Sequence, residues 1–180
     1  INHTSSSSFS PRSEGLGEAI IQVENLTKTF GDFTAVKGIT FDVYKGEIFG
    51  FLGANGAGKT TAMKMLIGIS KPTSGSAIVA GLDVATQADL VKKSIGYMSQ
   101  KFSLYDDLTI KENITFFGGI YGLSRKQIKE KTAQLISELE MQNVANNLVG
   151  SLPLGWKQKL SFSVSLLHEP KIVFLDEPTG

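Results

Sequence analysis

Residues 53–60 read Gly-Ala-Asn-Gly-Ala-Gly-Lys-Thr, between two segments of opposite habit. Before them, Glu47-Ile48-Phe49-Gly50-Phe51-Leu52 is a short apolar run that predicts a buried strand. After them, Ala62, Met63, Leu66 and Ile67 form one helical stripe within Thr60–Ile69, closed by Gly68 and Pro72. Strand, glycine loop and helix in that order make an anion cradle. Gly53, Gly56 and Gly58 permit backbone dihedrals that a Cβ forbids, so successive N–H groups can curl around phosphate oxygens. The positive end of the helix then points at the same place. The full spacing, G-x-x-x-x-G-K-[ST], adds Lys59 to reach the β- and γ-phosphates and the Thr60 hydroxyl to ligate Mg2+.

A second motif supplies hydrolytic chemistry. Ile172-Val173-Phe174-Leu175 is a continuous apolar run ending in Asp176 and Glu177. A carboxylate at that strand end holds Mg2+ through its water shell, which suits Asp176. Glu177 is then placed to orient or deprotonate an attacking water. Continuous apolar strands suit a parallel sheet covered on both faces.

Alternation at period two predicts short strands within Ile20–Val43, and further strands are expected at Ala77–Ala80 and Ile95–Met98. Thr109-x-x-Glu112 and Ser124-x-x-Gln127 are capping boxes. The first leads into a face of Ile110, Ile114, Phe117 and Tyr121, the second into Ile128, Leu135, Ile136 and Leu139. Residues 103–167 are therefore expected to form a helical insert between strands. The fold class is α/β.

Composition narrows the remaining classes. Eighteen Lys and Arg against 17 Asp and Glu leave a net charge of +1, which gives no electrostatic footprint for a nucleic-acid partner. With no cysteine, a disulfide scaffold, a thiolate metal site and a Cys nucleophile are excluded. No run approaches the roughly 18–20 apolar residues of a membrane span. Residues 1–18 are Ser-rich, lack an apolar signal region and are expected to be a linker or tail. Two glycosylation triplets, at Asn2 and Asn113, are read as chance. The chain begins with Ile1 and stops at Gly180, directly after the acidic motif, so a fragment of a longer polypeptide is expected.

Gly53–Thr60, the Asp176-Glu177-Pro178-Thr179 tail and the helical insert between them resemble the ATP-binding-cassette (ABC) family. Within that family the chain looks like the nucleotide-binding domain of ABC-2-type, multidrug-exporter-like transporters, truncated at its C-terminus. The resemblance implies a P-loop NTPase with a RecA-like parallel sheet core, an N-terminal antiparallel β subdomain and a helical insert. Domain bounds follow as a tail over 1–18 and an ATPase domain over 19–180, its core at 19–102 and 168–180.

The resemblance also implies roles, with ATP and Mg2+ as cofactors. Phe30 would stack on adenine. Asn55, Ala57 and Thr61 would join the glycines, Lys59 and Thr60 around the nucleotide. Gln100 would sense Mg2+ and the γ-phosphate and link the insert to the core. The family's L-S-G-G-Q loop corresponds here to Leu152-Pro153-Leu154-Gly155-Trp156. Pro153 removes a hydroxyl and an N–H, and Leu154 narrows the backbone, while Gly155 survives before an expected helix N-terminus. Trp156 is either helix packing or a nucleotide contact.

Partners implied are a second nucleotide-binding domain, as a head-to-tail dimer or tandem cassette, and an ABC-2-type transmembrane permease. The location implied is the cytoplasmic side of the cell membrane, peripheral through that permease. His168 reads as a helix C-terminal residue placed favourably against the dipole. The expected function is ATP binding and hydrolysis coupled to export. A regulatory cassette with little turnover and a soluble, non-transport ABC ATPase are the alternatives. The isolated chain is expected to be poorly stable, with an unpaired apolar sheet edge, and to hydrolyse ATP negligibly.

Overall fold

The computed structural model describes residues 17–54, 56–99 and 104–176. The expected strands within Ile20–Val43 are longer than period-two patches suggest. Strand β1 (Ala19–Phe30) and β2 (Phe33–Tyr44) form one antiparallel hairpin, pairing Ile21 with Val43, Val23 with Phe41 and Leu26 with Ile39. Gly31, at φ 56°, opens the two-residue turn that matches strand twist. Several register shifts let the hairpin continue through its polar stretches. Strands β3 (Ser74–Val79) and β4 (Leu82–Asp83) extend the sheet in the order β2-β1-β3-β4.

Helix α1 (Lys59–Leu66) lays Ala62, Met63, Met65 and Leu66 against this sheet. With Leu26, Val79, Val91 and Phe174 they form one core. Helix α2 (Ala88–Ser94) leads directly into β5 (Ile95–Met98), which pairs in parallel with β6 (Ile172–Leu175).

Between β5 and β6 the described chain is helical: α3 (Ile110–Ile120), α4 (Arg125–Glu138) and α5 (Leu154–Ser165). Both expected capping boxes form. Thr109 accepts from the Glu112 N–H at 3.2 Å while the Glu112 carboxylate accepts from the Thr109 N–H at 2.8 Å; Ser124 and Gln127 repeat the exchange. Ile110, Ile114, Leu135, Ile136, Met141 and Leu160 close a second core. None of the described helices is long and apolar enough to cross a membrane.

One element departs from expectation. Residues 47–52 are not a strand. A turn diverts the chain at the end of β2, where Tyr44 accepts from the Glu47 N–H at 3.0 Å and the Glu47 carboxylate accepts from the Tyr44 N–H at 2.9 Å. The segment then packs by its rings: Phe49 stacks on Phe41 at 4.9 Å, and Phe51 meets both edge-on. Ring packing satisfies the apolar side chains without a ladder, and Ile48 and Leu52 stay almost wholly exposed. Strand β6 is correspondingly covered on one face only, with Phe174 buried and Val173 and Leu175 exposed.

Candidate nucleotide site

The glycine loop is shaped by contact as well as by dihedral preference. Gly58 sits at φ 83° immediately before α1, and a Cβ there would lie 2.2 Å from the Ala35 carbonyl oxygen of β2. Both the left-handed backbone and the close approach demand glycine. Gly56 shares the positive φ, and Ala57 closes the turn by donating to Ala54 at 3.1 Å. Lys59, the first residue of α1, folds back: its ammonium donates to the carbonyls of Gly53 at 2.7 Å and Ala54 at 2.9 Å. Thr60, exposed, and Thr61, half-buried, complete the first turn, where helix N–H groups lack internal acceptors.

Asp176 is held from the other side. Its N–H donates to the Met98 carbonyl at 2.9 Å, one residue beyond the paired strands. The Tyr97 phenol is pushed above its ordinary range, first by burial and then by the Asp176 charge. Lys59 and Asp176 both line one cavity of about 670 Å³, walled by Phe41, Phe49, Phe51 and Phe174 among others. The structure thus brings the loop lysine and the strand-end carboxylate to a common space. Among the described residues no three His or acidic side chains converge as a self-sufficient metal site.

Phe30 stands apart from that cavity, at the hairpin tip. Its ring is more than half exposed, and the Lys28 ammonium lies 5.1 Å from its centroid. Gly155 also lies outside the cavity lining, on an exposed face inside the first turn of α5. Helix α5 starts at Leu154, so Leu154 and Gly155 belong to it rather than preceding it, with Pro153 as an N-cap that offers no side-chain bond. Trp156 is about one-third exposed on that same turn. Asn55, Gln100 and Glu177 lie outside the described residues, as do residues 1–16 of the tail expected over 1–18.

The family model described as ABC transporter matches residues 36–180. The chain belongs to the ABC transporter family. Among curated relatives, the "Probable multidrug ABC transporter ATP-binding protein YbhF" of Escherichia coli is 47% identical over 164 residues, covering 91% of this chain and 28% of that protein. The "Linearmycin resistance ATP-binding protein LnrL" of Bacillus subtilis is 36% identical over 160 residues, covering 89% of this chain and 51% of that protein. The chain therefore spans between about a quarter and a half of the length of these two relatives. A solved structure, "Structure of ATP binding subunit of ABC transporter", superposes with a TM-score of 0.79 at 27% identity, over 89% of this chain and 67% of the other. The fold is that of an ABC ATPase domain, a P-loop NTPase.

Three residues of this ABC domain have structural parts that no local pattern in the sequence indicates. Asn113 on α3 is fully buried; its amide accepts from the Tyr105 N–H at 2.8 Å and donates to the carbonyls of Tyr105, Leu108 and Thr109. The glycosylation triplet at Asn113 is thus an internal clamp on the turn before α3. Lys157 of α5 pairs with Asp106 at 3.0 Å across 51 positions. His168 does not face a helix dipole as a cation. It lies beyond the end of α5, its Nε2 is 2.9 Å from the Ile95 carbonyl, and burial pushes its pKa below the ordinary value.

Proposed function

We propose that the chain is the ATP-binding and hydrolysing part of an ABC-type membrane exporter, with Mg2+ as the metal. The observation that carries this reading is the opening of Lys59 and Asp176 onto one cavity beside a loop where only glycine fits. A phosphate chain entering the loop offers Lys59 anionic oxygens in place of the neutral Gly53 and Ala54 carbonyls, which adds the attraction of opposite formal charges to the hydrogen bond. The Thr60 hydroxyl, the Asp176 carboxylate and the Gln100 amide would hold the metal. One carboxylate, one hydroxyl and one amide are a sparse donor set, which fits an ion that shares its ligands with substrate phosphates and water. Bound there, Mg2+ would neutralise charge on the β- and γ-oxygens. Glu177, next along the chain, would orient the attacking water and take its proton, and the resemblance gives Gln100 the part of coupling the γ-phosphate to the helical insert. Phe30 presents an exposed ring for adenine.

The family resemblance assigns Gly155 on α5 to the phosphate loop of a second cassette, packed head to tail, and its place outside the cavity lining of its own chain is in keeping with that. The names of the relatives, a multidrug transporter and a linearmycin resistance protein, support an export role and a permease partner at the cytoplasmic face of a membrane. The domain division assigned to this function is a core over 19–102 and 168–180 with a helical insert over about 103–167.

The test compares MgATP turnover and nucleotide retention in the complete protein carrying this sequence. E177Q is expected to keep nucleotide and lose turnover, and K59A to lose nucleotide. Unimpaired turnover in E177Q would overturn the assignment. Nucleotide binding without turnover in the unmodified protein would favour a regulatory cassette, the reading that Pro153 at the start of α5 supports.

A further inference from the structure

The turn between α5 and β6 carries a second constellation, remote in role from the phosphate loop. His168 stacks on Tyr121, the residue that ends α3, with ring centroids 3.9 Å apart and 20° between planes. Its Nε2 meets the Ile95 carbonyl of β5 at 2.9 Å. A carbonyl only accepts, so Nε2 carries the proton and Nδ1 is bare. Nδ1 is sealed from solvent and has no hydrogen-bond partner among the described residues. Around this ring the insert and the strands approach closely. A Cβ on Gly96 of β5 would lie 2.6 Å from the Ser165 carbonyl oxygen of α5, and one on Gly118 of α3 would lie 2.9 Å from Ile128 of α4. Beside His168, Glu169 pairs with Lys131 of α4 at 2.6 Å. One turn of chain therefore touches α3, α4 and β5 together.

We propose that His168 is a positioning residue which seats the α3–α4 helices on β5 only while its ring is neutral, and that protonation at Nδ1 unseats them. An imidazolium needs an acceptor at Nδ1, and none of the described residues supplies one. To find water the ring must swing out and give up its stack on Tyr121. The Ile95 carbonyl favours the charged ring, burial opposes it more strongly, and the neighbouring charges side with burial. Lys131 faces the ring from α4 and opposes a second positive charge. Glu169 is already committed to Lys131, which holds its carboxyl below the usual range. Tyr97 is the one ionisable side chain on β5. Asp89, Lys92 and Lys93 of α2 reach Tyr121 across a shallow cavity of about 330 Å³. Asp89 is paired with Lys92 at 3.0 Å, so α2 supplies no free anion to the imidazolium. Because β5 runs beside the strand that ends at Asp176, the seat sets how the helices lie against the strands carrying the site.

The chain has two histidines, so nitrogen-labelled histidine resonances are readily assigned. An NMR titration of the chain is expected to show His168 as the Nε2–H tautomer with a midpoint below 6.5. The Tyr121 ring signals and the amide protection of α3 and α4 are expected to change with that same midpoint. In H168Q the protection of α3 and α4 should not respond between about pH 5 and pH 8. Y121L should bring the His168 midpoint back toward 6.5. A midpoint at or above 6.5, Tyr121 signals that ignore the titration, or an H168Q insert with the wild-type pH response would each overturn the proposal. If H168Q does not fold, the wild-type titration of His168 and Tyr121 decides alone.

Discussion

The N–H of Asp176 donates to the carbonyl of Met98 at 2.9 Å, one step past the last paired residues of β5 and β6. The two strands are parallel, so the residues following each emerge at the same end of the sheet, where ligands of open α/β sheets bind. That single bond places position 99 and position 176 side by side, although 77 positions separate them in the chain. It fixes the backbone of Asp176 at the sheet end whose cavity Lys59 also lines.

Gly58 is the residue on which the cradle depends most directly. G58A combines a left-handed φ with a Cβ 2.2 Å from the Ala35 backbone oxygen. Backbone cannot yield as a side-chain tip can. Loss of more than about 2 kcal/mol of stability is expected in urea denaturation, with loss of nucleotide binding. G81A, where nothing lies within 4 Å of the added Cβ although φ is also positive, isolates the dihedral contribution from the clash.

Asn113 holds four backbone groups at the entrance to α3. N113A leaves the Tyr105 N–H without its side-chain acceptor and strips a second bond from the Tyr105, Leu108 and Thr109 carbonyls, each of which keeps a backbone donor; it should cost about 1–3 kcal/mol, read as a lower urea midpoint at unchanged slope. N113L fills the space without restoring the bonds. Its stability should remain near that of N113A, because the loss lies in polar satisfaction rather than volume.

The capping box at α3 has a pH signature. Hydrogen bonds from the backbone and then the side chain of Thr109 hold the Glu112 carboxyl below its usual range. A lowered carboxylate means that the unfolded chain binds more protons in the window between the two values. The box therefore contributes fully above the ordinary glutamate range and fades as pH falls through it. In T109A the Glu112 titration should move back up toward the ordinary value, as followed by side-chain carbon NMR.

Phe30 offers an exposed ring whose partner is assigned from the family role, so the choice of substitution matters. F30A should weaken binding of a fluorescent ATP analogue by about tenfold, and F30W should retain it. Lys28 lies over the ring and donates to the Lys71 carbonyl, so K28M tests whether the ring is oriented by that cation. Equal affinity in F30A and the unmodified chain would remove adenine from this position.

Local chemistry was legible in the sequence. The glycine loop, the boxes at Thr109 and Ser124, the runs at Ile95 and Ile172 and the α/β class each depend on residues a few positions apart. Spacing along the chain is enough to display them. The tertiary structure decided what depends on distant partners. Residues 47–52 have strand composition, yet they became a ring-packed segment, because a strand exists only where a neighbour supplies a ladder and Phe41 supplied a stack instead. His168 has the position of a dipole-facing cation, yet burial holds its pKa below the ordinary value although the Ile95 carbonyl favours its proton, and it is packed on the Tyr121 ring; these partners lie 73 and 47 positions away. Asn113 has the triplet of a surface acceptor, yet it is buried. Sequence records the groups each residue brings. Burial and pairing arise between residues far apart, and only the closed fold assigns them.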